Sequence, residues 1–203
     1  MKPLQCAFVI LVGVVSASYG HHHHRHMCPP PFGKIMFEPE KFQGDWHVVS
    51  HFVDVPHKHG DETCLKLEYA PSKEGNESRV QITMHIRKSP DEEHKLQMRC
   101  VQGGPPGKGG STSLCATNYD DSEKWGPLVQ HQILATDYET YAITQACGVF
   151  YKEDEQKFDR IFAVDILSRE PTLAADKLKL LKSVASSGEA NVDSFTDVSN
   201  EGC

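Results

Sequence analysis

Past residue 20 the chain of 203 residues has no apolar run long enough to span a bilayer, so a protein of several membrane helices is not expected. A cationic excess is also missing. The 21 Lys and Arg residues are outnumbered by 28 Asp and Glu, leaving a net charge of -7. Polyphosphate backbones and anionic membrane surfaces are therefore not drawn in at long range, and nucleic acid is not an expected partner. Helical patterning is scarce and confined to one stretch after residue 170. No Ser-His-Asp order and no general acid and base pair of carboxylates stands out. What is left is a chain of short alternating segments broken by Gly, Pro and charged turns, a length that suits one domain.

The first 20 residues read as a secretory signal. Lys2 is the charged start, Cys6 to Val15 is an apolar stretch too short to span, and Ser16 to Gly20 offers small residues for cleavage after Ser18 or Gly20. A membrane anchor is the competing reading. A secreted, extracellular protein follows from the first. Residues 21–27 form a His-rich arm. His21, His22, His23, His24 and His26 have the chemistry of transition-metal ligands, and the competing reading is a solvated arm without a bound ion. Asn76-Glu77-Ser78 is a glycosylation sequon on a polar turn.

The segment Lys41 to Phe52 anchors the rest. Gly44 frees the backbone, Trp46 brings a large ring to bury, and Val48, Ser50 and Phe52 follow at period two. The cleanest alternation is Arg79 to Lys88, where Val80, Ile82, Met84 and Ile86 share one face and charged or polar residues the other. His94 to Val101 continues it with Leu96 and Met98. Further strands read at Cys64–Tyr69, Ser113–Asn118, Val129–Ala135, Tyr141–Tyr151 and Lys157–Ser168, with a turn over Pro71 to Ser78. About eight short, evenly spaced strands predict an antiparallel up-and-down barrel. One helix, about 172–186, follows. Pro171 and Thr172 open it, and Leu173, Leu180, Leu181 and Val184 form its apolar stripe. The tail beyond it has no core of its own, and Cys203 is expected to tie it down.

Of 7 cysteines, Cys6 leaves with the signal. An even remainder in an oxidising compartment points to three bridges, which could be arranged in 15 ways. Cys100 and Cys115 flank the Gly-Pro-rich tip that begins at Gly103, so a local bridge there is the economical choice, contributing about 3 kcal/mol in the chain-entropy picture.

Three motifs in order resemble those of the lipocalin family: Gly44-Asp45-Trp46, then Ala135-Thr136-Asp137-Tyr138, then Ile166-Leu167-Ser168-Arg169 before Pro171-Thr172-Leu173. The likeness covers Cys28 to Cys203. Within the family, Ile133 to Tyr141 with Cys147 after it looks most like the apolipoprotein D, insecticyanin and crustacyanin group. The resemblance implies bridges Cys28–Cys147 and Cys64–Cys203, with Cys100–Cys115 as the remaining pair. It implies that Arg169 lies across the Trp46 ring as a plug at the closed end, with Gly44, Thr136, Asp137 and Tyr138 as turn and packing residues. Two positions depart from the group. His47 stands where an aromatic usually follows the Trp, and Asp165 stands where the last strand often carries an inward Trp.

An eight-stranded lipocalin barrel implies a small hydrophobic ligand inside, either a pigment such as a bilin or carotenoid, or a fatty acid or sterol. No cofactor is required. The expected lining is Val48, Phe52, Val80, Ile82, Met84, Ile86, Leu96 and Met98, with Ser50, His131 and Asp165 as polar groups to orient the ligand. Two other classes compete. A metal or haem scavenger would use the His-rich arm together with His47, His51, His57 and His59. A lipid-modifying enzyme would need a thiolate in the barrel, and pairing every remaining cysteine leaves none. A homo-oligomer is compatible with the sequence.

Overall fold

In a computed structural model the described residues are 27–54, 63–74, 77–89, 92–103, 110–186 and 189–203. The signal segment, His21 to His26, His57, His59 and Asn76 lie outside them. A lead-in from Cys28 reaches a short helix, α1 (Pro39–Phe42). Then come β1 (Gly44–Asp54), β2 (Thr63–Glu74), β3 (Glu77–Ser89), β4 (Glu92–Gln102), β5 (Thr112–Tyr119), β6 (Leu128–Thr136), β7 (Tyr141–Lys152) and β8 (Lys157–Ser168). Each strand pairs antiparallel with the next, and β1 pairs with both β8 and β2, so the wall closes on itself. After β8 come α2 (Ala175–Ala185), a 3-10 turn at Val192–Ser194, and β9 (Thr196–Asp197). The architecture is the eight-stranded up-and-down barrel that the alternation predicts, with a helix packed outside.

The strand alternation sorts the apolar residues into two cores. Trp46, Val48, Leu67, Tyr69, Ile82, Met98 and Leu167 belong to the inner one. Val49, Ile143, Phe162, Val164 and Ile166 point the other way and form the outer one with Leu181 and Ala185 of α2. The helix differs from its sequence reading in two respects. It starts at Ala175, and its N-cap Ala174 offers no side-chain bond, so neither Pro171 nor Thr172 lies within it. Its buried stripe runs through Leu181 and Ala185, with Leu173 and Leu178 packed beside them, while Leu180 and Val184 are exposed. Leu180 sits about 100° round from Leu181, so the two cannot share a seat.

Strand β2 also runs further than expected, through Pro71 to Glu74. Its pairing with β1 ends at Tyr69, opposite Gly44. Beyond that point one edge of β2 is free, and a proline there removes no ladder bond to β1.

The largest correction lies in β1. Its register against β8 slips by one residue between Val48 and Ser50. Val49 is the extra residue of a bulge, and every later side chain changes face. Ser50 and Phe52, expected inside, are on the outer face. Ser50 donates its hydroxyl to the Thr196 carbonyl at 3.1 Å. Phe52 packs against Phe162 and Phe195, with ring centres 6.1 and 6.0 Å apart. His51, opposite Asp165 in the register, takes the inward place.

The segment after α2 is part of the wall. At its upper end β2 no longer pairs with β1, and β9 lies along the freed edge, with Thr196 opposite His51 and Asp197 opposite Ser50. The Val198 amide donates to the Val49 carbonyl at 3.1 Å, and the Cys64 amide donates to the Ser199 carbonyl at 2.9 Å. Asn200 donates its side-chain amide to the Val48 carbonyl at 2.9 Å. Phe195, Val198 and Asn200 are buried, contrary to the expectation of a tail without a core. The bridge Cys64–Cys203 fastens this seam from outside. Cys28–Cys147 holds the lead-in to β7, and Cys100–Cys115 joins residues directly opposite on β4 and β5. These are the three pairings that the resemblance and the local argument give.

Candidate ligand-binding site

One end of the barrel is sealed by rings. Trp46 is fully buried, and its indole N–H donates to the Phe42 carbonyl at 2.9 Å. Phe42 stacks on the indole at 4.9 Å and meets Tyr69 edge-on at 4.8 Å, while Phe37 lies between Phe42 and Tyr138. The Arg169 guanidinium lies 3.7 Å from the centre of the Trp46 ring. Its N–H groups donate to the carbonyls of Asp45, Lys41 and Tyr138, which fixes the cation over the ring. Gly44 enters β1 at φ +90°, a backbone position that side chains rarely adopt. At the β6–β7 turn the Asp137 carboxylate accepts from the amides of Glu139, Thr140 and Tyr141, and Thr136 accepts from the Tyr138 amide. Burial works against the charged form of Asp137, but the Thr140 hydroxyl and these amides outweigh it and hold its pKa below the usual value. All these motif residues build the floor and its turns.

Above the floor a hydrogen bond crosses the lumen. The Tyr69 hydroxyl on β2 and Nε2 of His131 on β6 are joined at 3.1 Å. Thr144 on β7 and Asp165 on β8 stand opposite each other in the register, and His51 on β1 flanks Asp165 from the other side. Burial, and then the Asp165 charge, push the Tyr69 hydroxyl well above its ordinary range, so it stays protonated. Burial alone lowers the His131 pKa to about 4, so the ring is neutral at physiological pH. The buried Thr144 hydroxyl is close enough to the Tyr69 hydroxyl to bond it, and that contact partly offsets the upward push.

The lowered His131 pKa predicts an acid sensitivity. Between the folded value of about 4 and the ordinary value of 6.5 the unfolded chain binds the proton that the folded chain refuses. The stabilising contribution is therefore full above pH 6.5 and falls away as the pH drops toward 4. The full loss amounts to about 3 kcal/mol. Urea unfolding at pH 7 and pH 5 checks this: the loss of stability should be clearly smaller in His131→Gln than in the unaltered chain.

The expected lining divides cleanly. Val48, Val80, Ile82, Met84, Ile86 and Met98 belong to the inner core, and Leu96, opposite Met84, shares its face. His131 and Asp165 also face inward. Ser50 and Phe52 do not. Leu65, Leu67, Tyr69, Val129, Ile133, Ala142 and Thr144 face inward as well and were not anticipated. For β2 the signal was present in Cys64-Leu65-Lys66-Leu67-Glu68-Tyr69, an alternation as clean as that of β3. Of the scattered histidines, His47 lies on the outer face, between Ser168 and Lys66 in the register, away from His51. Among the described residues no three His, Cys, Asp or Glu side chains are grouped to hold a metal ion.

No protein-family model matches the chain. Mouse apolipoprotein D is 26% identical over 196 residues, covering 95% of this chain and 93% of the relative. In structure the chain is similar to insecticyanin from the tobacco hornworm Manduca sexta, with a TM-score of 0.61 at 17% identity, covering 88% of this chain and 89% of the other. Lobster apocrustacyanin A1 superposes with a TM-score of 0.52 at 18% identity, covering 79% and 78%. Three ordered motifs, the closed barrel with its outer helix, and a likeness to apolipoprotein D along nearly the whole chain agree: the chain has the lipocalin fold.

Proposed function

We propose that this protein is a secreted carrier that holds a small hydrophobic molecule inside the barrel. The observation that carries the reading is the state of the inner face. Below, Phe42, Trp46 and Leu67 are packed dry. Above, inward residues such as Met84, Leu96, Ala146 and Ala163 keep part of their surface open although they point into the barrel. β7 and β8 contribute the small side chains Ala146 and Ala163 to that part of the inner face, which supports an interior that is not filled by side chains alone. An apolar ligand entering that space gains about 25 cal/mol for each Å² it removes from water.

The lipocalin resemblance implies a bilin, a carotenoid, a fatty acid or a sterol. No catalytic step is proposed. The reading includes removal of residues 1–20 and a glycan on Asn76. Native mass spectrometry with an absorption spectrum, on protein purified from its source, tests all of this. A visible band with added mass identifies a chromophore, and added mass without colour identifies a lipid. A bare chain that also fails to take up a long-chain alcohol would remove the carrier reading. The same spectrum reports the cleavage site, the glycan and any homo-oligomer.

A further inference from the structure

The three bridges differ in what surrounds them. Cys100, Cys115 and Cys147 are buried, so two of the bridges have at least one sulfur shut away. Cys203 is exposed and Cys64 is half-buried, so Cys64–Cys203 is the one bridge without a buried cysteine. Arg87 on β3 points an N–H at the Cys64 sulfur, 3.9 Å away. Behind this bridge Val198 packs into the inner core, and it is the one inner-core residue drawn from beyond β8 among the described residues. We infer that Cys64–Cys203 is a reducible latch on the side of the barrel. A dithiol reductant opens it before the other two, Val198 and its neighbours swing away, and the lumen gains a lateral exit for the carried molecule. The exit rests on the carrier reading; the selective reduction does not.

A thiolate of the reductant attacks the exposed Cys203 sulfur. A new S–S bond forms between them, the Cys64–Cys203 bond breaks, and its electron pair leaves on Cys64 as a thiolate. The Arg87 guanidinium stands beside that sulfur and stabilises the departing charge. Glu93, opposite Arg87 in the register, is engaged by His85 at 3.0 Å. The second thiol of the reductant then attacks its own sulfur in the mixed disulfide and releases Cys203. The reductant gives up two electrons and becomes a disulfide, and its two protons end on Cys64 and Cys203. Once the bridge is open, a two-residue strand and few bonds hold the segment: Val198 to Val49, Cys64 to Ser199, and Asn200 to Val48. A segment held so lightly opens at a lower free energy than the long strands around it. Leu65, next to Cys64, faces the lumen, so the opening leads directly to the inner face.

Oxidised full chain, loaded with a dansyl-labelled fatty acid and treated with dithiothreitol under native conditions, tests the inference. Trapping with iodoacetamide and peptide mass mapping give the order in which the bridges open. Decay of the dansyl fluorescence gives the release rate, and circular dichroism follows the strands. Cys64 and Cys203 should be alkylated about ten-fold faster than Cys28, Cys147, Cys100 and Cys115. Release should then quicken about ten-fold while the strand signal is kept. Arg87→Gln should slow the opening of this bridge several-fold and leave the other two unaffected, and Arg87→Lys, which keeps the charge, should recover most of the rate. Bridges that open together, or another that opens first, would overturn the latch. Unchanged release after Cys64–Cys203 is reduced would overturn the exit, and so would loss of the strand signal, which would make the bridge a support of the whole domain. An unaltered rate in Arg87→Gln would remove Arg87 from the step. If the oxidised chain does not bind the probe, the carrier reading fails and the exit with it, while the order of alkylation still decides the latch.

Discussion

Trp46→Ala is expected to destabilise the fold by about 3–5 kcal/mol, as for large aromatic truncations in a packed core. The ring is fully buried, with Phe42 stacked on it and the Arg169 guanidinium against it. Its removal leaves a void, takes away the donor that satisfies the Phe42 carbonyl, and leaves the Arg169 guanidinium over nothing. Arg169→Ala keeps the indole and loses the cation–π contact, worth about 1–2 kcal/mol when partly desolvated, together with its bonds to three carbonyls. The order Trp46 well above Arg169 in urea unfolding is the checkable result. If Trp46→Ala does not fold, Trp46→Phe gives the comparison. A cost for Trp46→Ala no larger than for Arg169→Ala would mean that the floor is not what holds the barrel shut.

The double replacement Cys64→Ala with Cys203→Ala should cost about 4–5 kcal/mol, since the bridge spans a sequence separation of 139 and long loops gain the most in the chain-entropy account. Cys100–Cys115 spans only 15 and joins residues already paired in a hairpin, so its removal should cost about 3 kcal/mol or less. The two losses also differ in place. Without Cys64–Cys203 the Cys64 and Val198 amides, which bond across the seam, should lose protection against hydrogen exchange well before the amides of β3 and β4 do. Equal loss of protection everywhere would show that the seam opens only with the whole domain.

Much of this architecture could be read from the residues. The three motifs sit where the floor is built, and the strands Arg79 to Lys88 and Lys157 to Ser168 are nearly the observed β3 and β8: the first alternates between a dry and a wetter face, and the second is an apolar run buried on both faces toward its end. Ser50 and Phe52 were misplaced for a physical reason. A bulge adds one residue without any special residue type to mark it, and parity counted from Trp46 fails beyond it. The pair Val48-Val49, two apolar neighbours that break the period-two alternation, was the trace it left. The helix stripe was misjudged because Leu180 and Leu181 are adjacent and only packing selects between them. Phe195 and Val198 are isolated apolar residues in a polar stretch, and their burial depends on a gap between β1 and β2 that no local pattern announces. For the same reason the belt of Tyr69, His131, Thr144 and Asp165 was only half visible. Its members lie on four strands and meet only when the wall closes.

The wedge formed by Thr196 to Asn200 bears on how the molecule is made. All eight long strands are synthesised before it, yet the upper border between the first and second of them has no partner until it arrives. A nascent chain can therefore curl into a nearly complete cylinder and still have a slit down one side. Sealing that slit is a late event, and the covalent lock at Cys64 and Cys203 has to wait until Cys203 has been made.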